Sequence, residues 1–292
     1  MRLSIPLALA VLLLAAPGVP AQVAPQLAPA TNSSGAPVAP VDDLIDALRL
    51  GDVLEAMRAE GIDYGESLEQ DLFPDRGGTR WAELVDRVYA TDAMRARLMP
   101  ALERELGELS AGDVTAARDF FRAPLGQRIV ALENSARLAQ LDEDVKAASQ
   151  QEAEDLKAGD PARYALLQRF VAANDLVEAN VVGALNANAA FYFGLNAAGA
   201  FPQPLTEEEI LSDVAAQADG IREETADWID AYLALAYRPL SDADLERYLA
   251  FSESPAGRAL NRAMFEAYDS MFTGLSRDLG RGAARFIAGQ EL

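Results

Sequence analysis

Two stretches, FSESPAGRAL at residues 251–260 and FFRAPLGQRI at residues 120–129, each place a proline and then a glycine after an aromatic residue. Pro255 disfavours the α conformation at the preceding residue and has no backbone N–H, so a helix should end just before it. Ser254 can then cap a second helix in which Pro255 is the first residue. Gly257 follows within that first turn, where the missing side chain lets another helix approach closely. The stretch therefore predicts a helix, a tight corner and a second helix.

The helix before this corner begins with a variant of the capping box. Ser241 starts an amphipathic run, and Asp244 follows at the position where Glu or Gln is usual. The same pattern occurs 131 residues earlier in the chain. The positions that are identical in the two copies are Leu109, Ser110, Asp113, Phe120, Pro124 and Gly126 in the first and Leu240, Ser241, Asp244, Phe251, Pro255 and Gly257 in the second.

A second internal similarity lies further upstream. Residues 50–58 resemble residues 173–181, in a register that pairs Asp52 with Asp175. Self-similarity of this kind is the signature of a repeated structural unit, here of about 100 residues. The sequence therefore predicts two copies of one helical unit.

The corner sequence resembles a known bacterial family. A helix that begins Leu-Ser and ends in aromatic-x-x-Ser-Pro-x-Gly is similar to the domain of unknown function 2059 family, and residues 240–260 are the closer match. Ser252 stands where that family usually has a second aromatic residue. The first copy keeps the pair as Phe120 and Phe121 but has Ala123 in place of the serine. The resemblance implies a small helical module of exported bacterial proteins and carries no catalytic residue over.

The N-terminal residues 1–21 have the pattern of a secretory signal peptide. Arg2 precedes an apolar run from Leu7 to Ala16, and small residues lead to a cleavage site after Ala21. The alternative is a retained membrane anchor, but the apolar run is shorter than the ~20 residues that span a bilayer. A chain without cysteine cannot be lipidated at a mature N-terminal cysteine. We therefore expect a periplasmic protein that is not a lipoprotein.

The remaining chain divides by composition. Residues 22–41 are uncharged and rich in alanine and proline, which predicts a disordered linker. Beyond it, apolar residues recur at spacings of three and four, which predicts an all-α protein with two related multi-helix units packed as a bundle. The expected domains are the signal peptide 1–21, the linker 22–41, a first unit 42–140, an acidic connecting segment 141–160 and a second unit 161–292 with its family-like core at 225–280.

The net charge of −21 and the absence of histidine and cysteine limit the functions that the chain can have. An acidic surface repels nucleic acid and favours cationic partners. A site built on an imidazole base, a thiol nucleophile or nitrogen and sulfur metal ligands is excluded. A carboxylate-based hydrolase is the enzyme alternative, but Glu103 and Glu105 point to different helix faces and cannot flank one substrate. We expect no catalytic residue, cofactor or metal.

Two acidic stretches invite a metal-site hypothesis and have a structural explanation. Thr206 and Glu209 form a capping box, and acidic residues in a first turn complement the helix dipole. Within residues 141–160, Lys146 stands where a calcium loop needs an oxygen ligand. A solvated connecting helix that ends at Gly159 is the prediction for this segment.

The uncharged run VVGALNANAAFYFGLNAAGAF at residues 181–201 is long enough to span a bilayer, but its three asparagines would be costly in hydrocarbon. One alternative is a helix that is buried on most sides and passes between the copies. The other is functional, with Phe191, Tyr192 and Phe193 lining an apolar cavity in which asparagines are the few polar groups.

The sequence thus predicts an exported helical binding or protein-interaction module of the bacterial cell envelope with an unidentified protein partner. The alternative is a carrier of a small apolar ligand in a cavity between the two units. A solid core between the units would favour the interaction module, whereas a closed apolar cavity there would favour the carrier.

Overall fold

The structure, a computed structural model, describes residues 39–289. Within this range every regular element is a helix and no strand occurs, so the predicted all-α class is confirmed. The predicted signal peptide and residues 22–38 of the predicted linker lie outside the described residues. The first helix begins at Ala39, within the range predicted as linker.

Six helices precede the acidic connecting segment and form the first unit. Prolines and capping residues mark several of their boundaries, as the sequence pattern indicates. The helices are α1 (Ala39–Ala47), α2 (Leu50–Leu72), α3 (Gly78–Val88), α4 (Thr91–Gly107), α5 (Ala111–Arg122) and α6 (Pro124–Ala139).

The connecting helix α7 and a second set of six helices follow. The helices are α7 (Glu143–Gly159), α8 (Pro161–Ala173), α9 (Leu176–Ala197), α10 (Glu207–Ala215), α11 (Ala218–Tyr237), α12 (Asp242–Ser252) and α13 (Pro255–Ile287).

The connecting helix α7 begins and ends at capping aspartates. Asp142 accepts a hydrogen bond from the backbone N–H of Asp144 at 2.9 Å. The helix ends at Gly159, and Asp160 then caps α8 by accepting from the N–H of Arg163 at 3.1 Å. One face of α7 packs against α11, so this helix is solvated only on its other side.

The two units repeat the same helix order. Helices α1–α6 correspond in order to α8–α13. In each unit the first helix packs against the fifth. The second helix of each unit packs against the third, the fourth and the sixth. The corner between the first two helices is also repeated, because Arg49 and Asp175 both adopt the left-handed conformation, with φ of 50° and 47°. The two sets of helices are therefore built on one plan.

The predicted register between residues 50–58 and 173–181 is wrong by three residues. The structure places Arg49 opposite Asp175, each directly before a second helix, whereas Asp52 lies inside the first turn of α2. A shift of three residues is close to one helical turn of 3.6 residues, so nearly the same face recurs and similar residue types align.

The units pack against each other through reciprocal contacts. Helix α4 contacts α13 and helix α6 contacts α11, so the fourth helix of each unit packs on the sixth helix of the other. Phe120 and Phe251, which occupy equivalent corner positions, stack with ring centroids 4.1 Å apart. The longer α13 also carries Phe286 into the first unit, at 5.3 Å from Phe73 and 5.6 Å from Trp81. Aromatic side chains thus meet across the contact between the units at two places.

Helix α9 contains most of the uncharged run and lies at the centre of the second unit. Residues 187–192 are all buried, and the helix crosses α13 very closely. A Cβ added at Gly194 would lie 2.3 Å from the carbonyl oxygen of Arg277, and one added at Gly280 would lie 2.2 Å from that of Phe191. Among the described residues, no helix is both long and apolar enough to cross a membrane.

Candidate functional site

The two capping serines that the sequence singles out hold the starts of α5 and α12. Ser110 Oγ accepts from the backbone N–H of Asp113 at 3.1 Å and donates to Asp113 Oδ2 at 2.7 Å. Ser241 and Asp244 form the same pair at 3.2 Å and 2.9 Å. In these pairs the short aspartate side chain bonds the serine hydroxyl. The longer Glu209 side chain reaches the backbone N–H of its capping residue, as in a full capping box.

The two prolines are the first residues of α6 and α13. Pro255 follows Ser254, whose hydroxyl accepts from the N–H of Gly257 at 3.1 Å. Pro124 follows Ala123, which has no side-chain oxygen and makes no cap. The side-chain cap is therefore present at the second corner and absent from the first.

The corner glycines are required by the helix that precedes each corner. A Cβ added at Gly126 would lie 2.2 Å from the carbonyl oxygen of Phe120, and one added at Gly257 would lie 2.1 Å from that of Phe251. These neighbours are backbone atoms in the last turn of α5 and α12, so each new helix folds back tightly over the old one. The motif residues are used in building the corners and in the stack between Phe120 and Phe251.

A buried acid–tyrosine cluster joins the two units, and the sequence analysis did not identify it. Glu133 on α6 accepts hydrogen bonds from the hydroxyls of Tyr237 at 2.6 Å and Tyr248 at 3.2 Å. The hydroxyl of Tyr232 donates to the Glu133 carbonyl oxygen at 2.9 Å. Burial raises the pKa of Glu133 to about 8, although the two tyrosine hydrogen bonds act to lower it. The signal in the sequence was a charged residue four positions after the buried Ile129, on the apolar face of α6.

A second buried polar contact lies one turn further along α6. The guanidinium of Arg137 meets the carboxylate of Glu60 on α2 in a two-pronged pair, with N–O distances of 2.6 Å and 2.7 Å. Arg137 is only 6% exposed. Glu60 holds the pKa of Arg137 above its usual value despite the opposing effect of burial. This pair fixes α6 to α2 within the first unit.

An open cavity of about 280 Å³ lies between α9 and α13, and we call it the α9–α13 groove. It combines carboxylates with aromatic and apolar side chains, a mixture that no single stretch of sequence displays. The acidic lining residues are Asp175, Glu178, Glu266 and Asp269, and the apolar and aromatic ones include Val182, Phe265, Tyr268 and Phe272.

The carboxylates of the groove differ in how they are compensated. Glu178 is paired with Arg222, at 2.6 Å and 3.1 Å, and this pairing lowers the pKa of Glu178. Among the described residues, Asp269 accepts only from the Asn186 amide, at 2.9 Å. Within residues 39–289, no cationic side chain forms an ion pair with Asp175, Glu266 or Asp269.

The pKa values of two of these carboxyls lie above their usual range. Burial raises the pKa of Asp269, with the Asn186 hydrogen bond opposing it. Burial also raises the pKa of Asp175, and the negative charge of Glu178 adds to that effect. The groove therefore holds negative charge in surroundings that disfavour it.

A buried tyrosine, Tyr268, also belongs to the groove lining. It lines the groove, is 1% exposed, and its hydroxyl has no hydrogen-bond partner among the described residues. Burial raises the pKa of this hydroxyl, so it stays protonated.

The three aromatic residues predicted as cavity lining lie elsewhere. Phe191 and Tyr192 belong to the buried core, and Phe193 is partly buried and packs against that core. None of the three is among the residues that line the α9–α13 groove. The reason is the close crossing at Gly194 and Gly280, which brings the α9 and α13 backbones together beside Phe191.

The three glutamates of the PLTEEEI stretch serve the start of α10. Thr206 accepts from the N–H of Glu209 at 3.2 Å, and the Glu209 carboxylate accepts from the N–H of Thr206 at 2.7 Å. Across residues 39–289, no group of acidic side chains is arranged to hold a metal ion.

Comparisons of the chain with protein-family models, with curated proteins and with solved structures found no match.

Proposed function

We propose that this chain is an exported binding module of the bacterial cell envelope and that the α9–α13 groove is its binding site. One observation carries the proposal, namely that the groove lining keeps three carboxylates without an ion-pair partner in the described part of the chain. Val182, which is 55% exposed, lies beside them. A bound partner would compensate charge and cover apolar surface that the free protein leaves unpaired.

Export is proposed from the N-terminal pattern and from the family resemblance. Residues 1–21 have the signature of a cleaved signal peptide, and residues 22–41 have the composition of a tether. Residues 240–260 resemble the domain of unknown function 2059 family, whose members are exported bacterial proteins. The absence of cysteine favours a free periplasmic protein over a lipoprotein.

An interaction module is favoured over a carrier with a cavity between the units. Phe120 stacks on Phe251, and Phe286 reaches Phe73 and Trp81, so side chains occupy the contact between the units. The groove lies within the second unit, and its carboxylates make it unsuited to a purely apolar ligand.

The acid–tyrosine cluster is assigned a structural role. Glu133 has a raised pKa, which is a common property of catalytic acids. Its carboxyl is bonded to Tyr237 and Tyr248, and none of these three residues lines the groove. The cluster ties α6 to α11 and α12, and we propose no enzymatic reaction for it.

Photo-crosslinking in living cells tests the binding role. A photoreactive amino acid replaces Val182 at the groove, and the matched control replaces Leu138 on α6, which is 48% exposed. Mass spectrometry of the protein recovered from the periplasmic fraction should show a defined adduct at position 182 and none at position 138. Equal adducts at both positions, or no adduct at position 182, would argue against the groove as a binding site.

A further inference from the structure

The α13 wall of the groove presents an aromatic face. Phe265, Tyr268 and Phe272 are spaced at three and then four residues, so they lie on one side of the helix. Val182 on α9 adds an exposed aliphatic surface to the same cavity. Aromatic faces attract organic cations through the ring quadrupole, and aliphatic surface suits a methylene chain.

The negative charge is placed at two separate levels of the groove. Asp175 lies directly before α9, whereas Asp269 is held beside Asn186, further along that helix. Asn186 lies eleven positions after Asp175, which corresponds to about 16 Å at the rise of an α-helix. Asp175 and Asp269 both line the cavity, so a ligand that contacts both of them must be elongated.

We propose that the α9–α13 groove binds a linear aliphatic polyamine. One terminal ammonium group lies at Asp175, the other lies at Asp269, and the methylene chain runs along Val182 and the aromatic face of α13. This inference rests on the proposed binding role of the groove and names the ligand class.

Other ligand classes match the groove less well. An anion would meet uncompensated carboxylates, and a neutral apolar molecule would leave them buried without a counter-charge. Calcium takes six to eight oxygen ligands, whereas the described acidic side chains form no group suited to a metal. A cation with an aliphatic body compensates the charge and also covers the apolar wall.

Calorimetric titration of the purified protein with spermidine, at constant ionic strength, tests the proposal. We expect saturable binding of one spermidine per chain, and at least tenfold weaker binding of butylamine, which carries only one charge. Asp269→Asn should weaken spermidine binding on the order of tenfold, because it removes the carboxylate at one end. Val182→Lys should weaken it as well, since the tethered ammonium competes within the groove.

The matched control is Glu83→Gln, which removes one exposed carboxylate on α3 of the first unit. It changes the net charge as Asp269→Asn does and should leave the affinity unchanged. Unfolding curves of each variant establish that it is folded, and Val182→Lys is expected to fold because position 182 is more than half exposed. Equal weakening by Glu83→Gln would overturn the proposal, because binding would then reflect only the net charge.

The failure of this inference is distinguishable from failure of the binding role. A protein adduct at position 182 without saturable spermidine binding would overturn the polyamine proposal and leave the groove as a protein-binding site. If there were neither an adduct at position 182 nor saturable spermidine binding, the polyamine proposal and the binding role of the groove would both be overturned.

Discussion

Replacing Gly257 with alanine adds one carbon that meets backbone and not a flexible side chain. The new Cβ would lie 2.1 Å from the carbonyl oxygen of Phe251 and 2.9 Å from the Cα of Ser252. That carbonyl oxygen also accepts from the N–H of Ser254 at 2.9 Å and from its hydroxyl at 2.6 Å. The corner therefore cannot open without losing these hydrogen bonds.

The expected cost follows from two opposing effects. Overpacking of this kind costs about 1–3 kcal/mol, whereas alanine gains up to about 1 kcal/mol over glycine in a helix. The added Cβ would meet a backbone oxygen at 2.1 Å, so the cost lies at the upper end of that range. After the alanine gain is subtracted, we expect Gly257→Ala to lower the free energy of unfolding by about 2 kcal/mol. For a chain of this size that corresponds to a fall in the melting temperature of about 4–8 °C.

Gly220 on α11 provides the matched control. It is the third residue of its helix, as Gly257 is of α13, and a Cβ added there would meet nothing within 4 Å. Gly220→Ala should therefore raise stability by up to about 1 kcal/mol. Thermal unfolding followed by circular dichroism compares the two variants. If Gly257→Ala were as stable as the wild type or more stable, the steric explanation of the corner glycine would be refuted.

Three further predictions concern the buried polar groups and the N-terminus. Burial raises the folded-state pKa of Glu133 from 4.5 to about 8, so the folded state binds this proton more tightly than the unfolded state does. The free energy of unfolding should therefore fall as the pH rises between these two pKa values. Glu133→Gln should flatten this dependence in urea unfolding, and an unchanged slope would contradict the assignment. Glu60→Ala should lower the free energy of unfolding by about 3 kcal/mol, because it leaves Arg137 buried without its carboxylate. The control Lys146→Ala, at an exposed ion pair, should lower it by less than about 1 kcal/mol. Similar losses for the two variants in urea unfolding would rule out a special role for the buried pair. N-terminal sequencing of the periplasmic protein should begin near Gln22, and an intact Met1 in the membrane fraction would contradict export by a cleaved signal peptide.

The features that sequence reasoning predicted well are set by neighbours along the chain. A helix cap depends on residues three positions apart, as in the pairs that begin at Ser241 and Thr206, and a proline ends a helix through its own ring. The all-α class follows from the periodicity of apolar residues in the same way. These effects are local, so the residue types and spacings were enough to predict them.

The features that sequence reasoning missed depend on segments that are far apart in the sequence. The groove exists because α9 and α13, which are separated by more than fifty residues, lie side by side. The pattern FYF at residues 191–193 indicated apolar lining, but the close crossing at Gly194 and Gly280 turned it into core. Glu133 likewise gained its raised pKa from tyrosines on α11 and α12.

Nuclear magnetic resonance of the isotope-labelled protein during a spermidine titration tests the binding-site proposal most directly, because it locates the bound ligand. We predict saturable chemical-shift changes confined to the amides of Asp175, of α9 as far as Asn186 and of residues 265–272 on α13. In the Asp269→Asn variant these changes should saturate only at a higher spermidine concentration. Changes that fail to saturate and that spread over the acidic surfaces of α7 and α10 would contradict it.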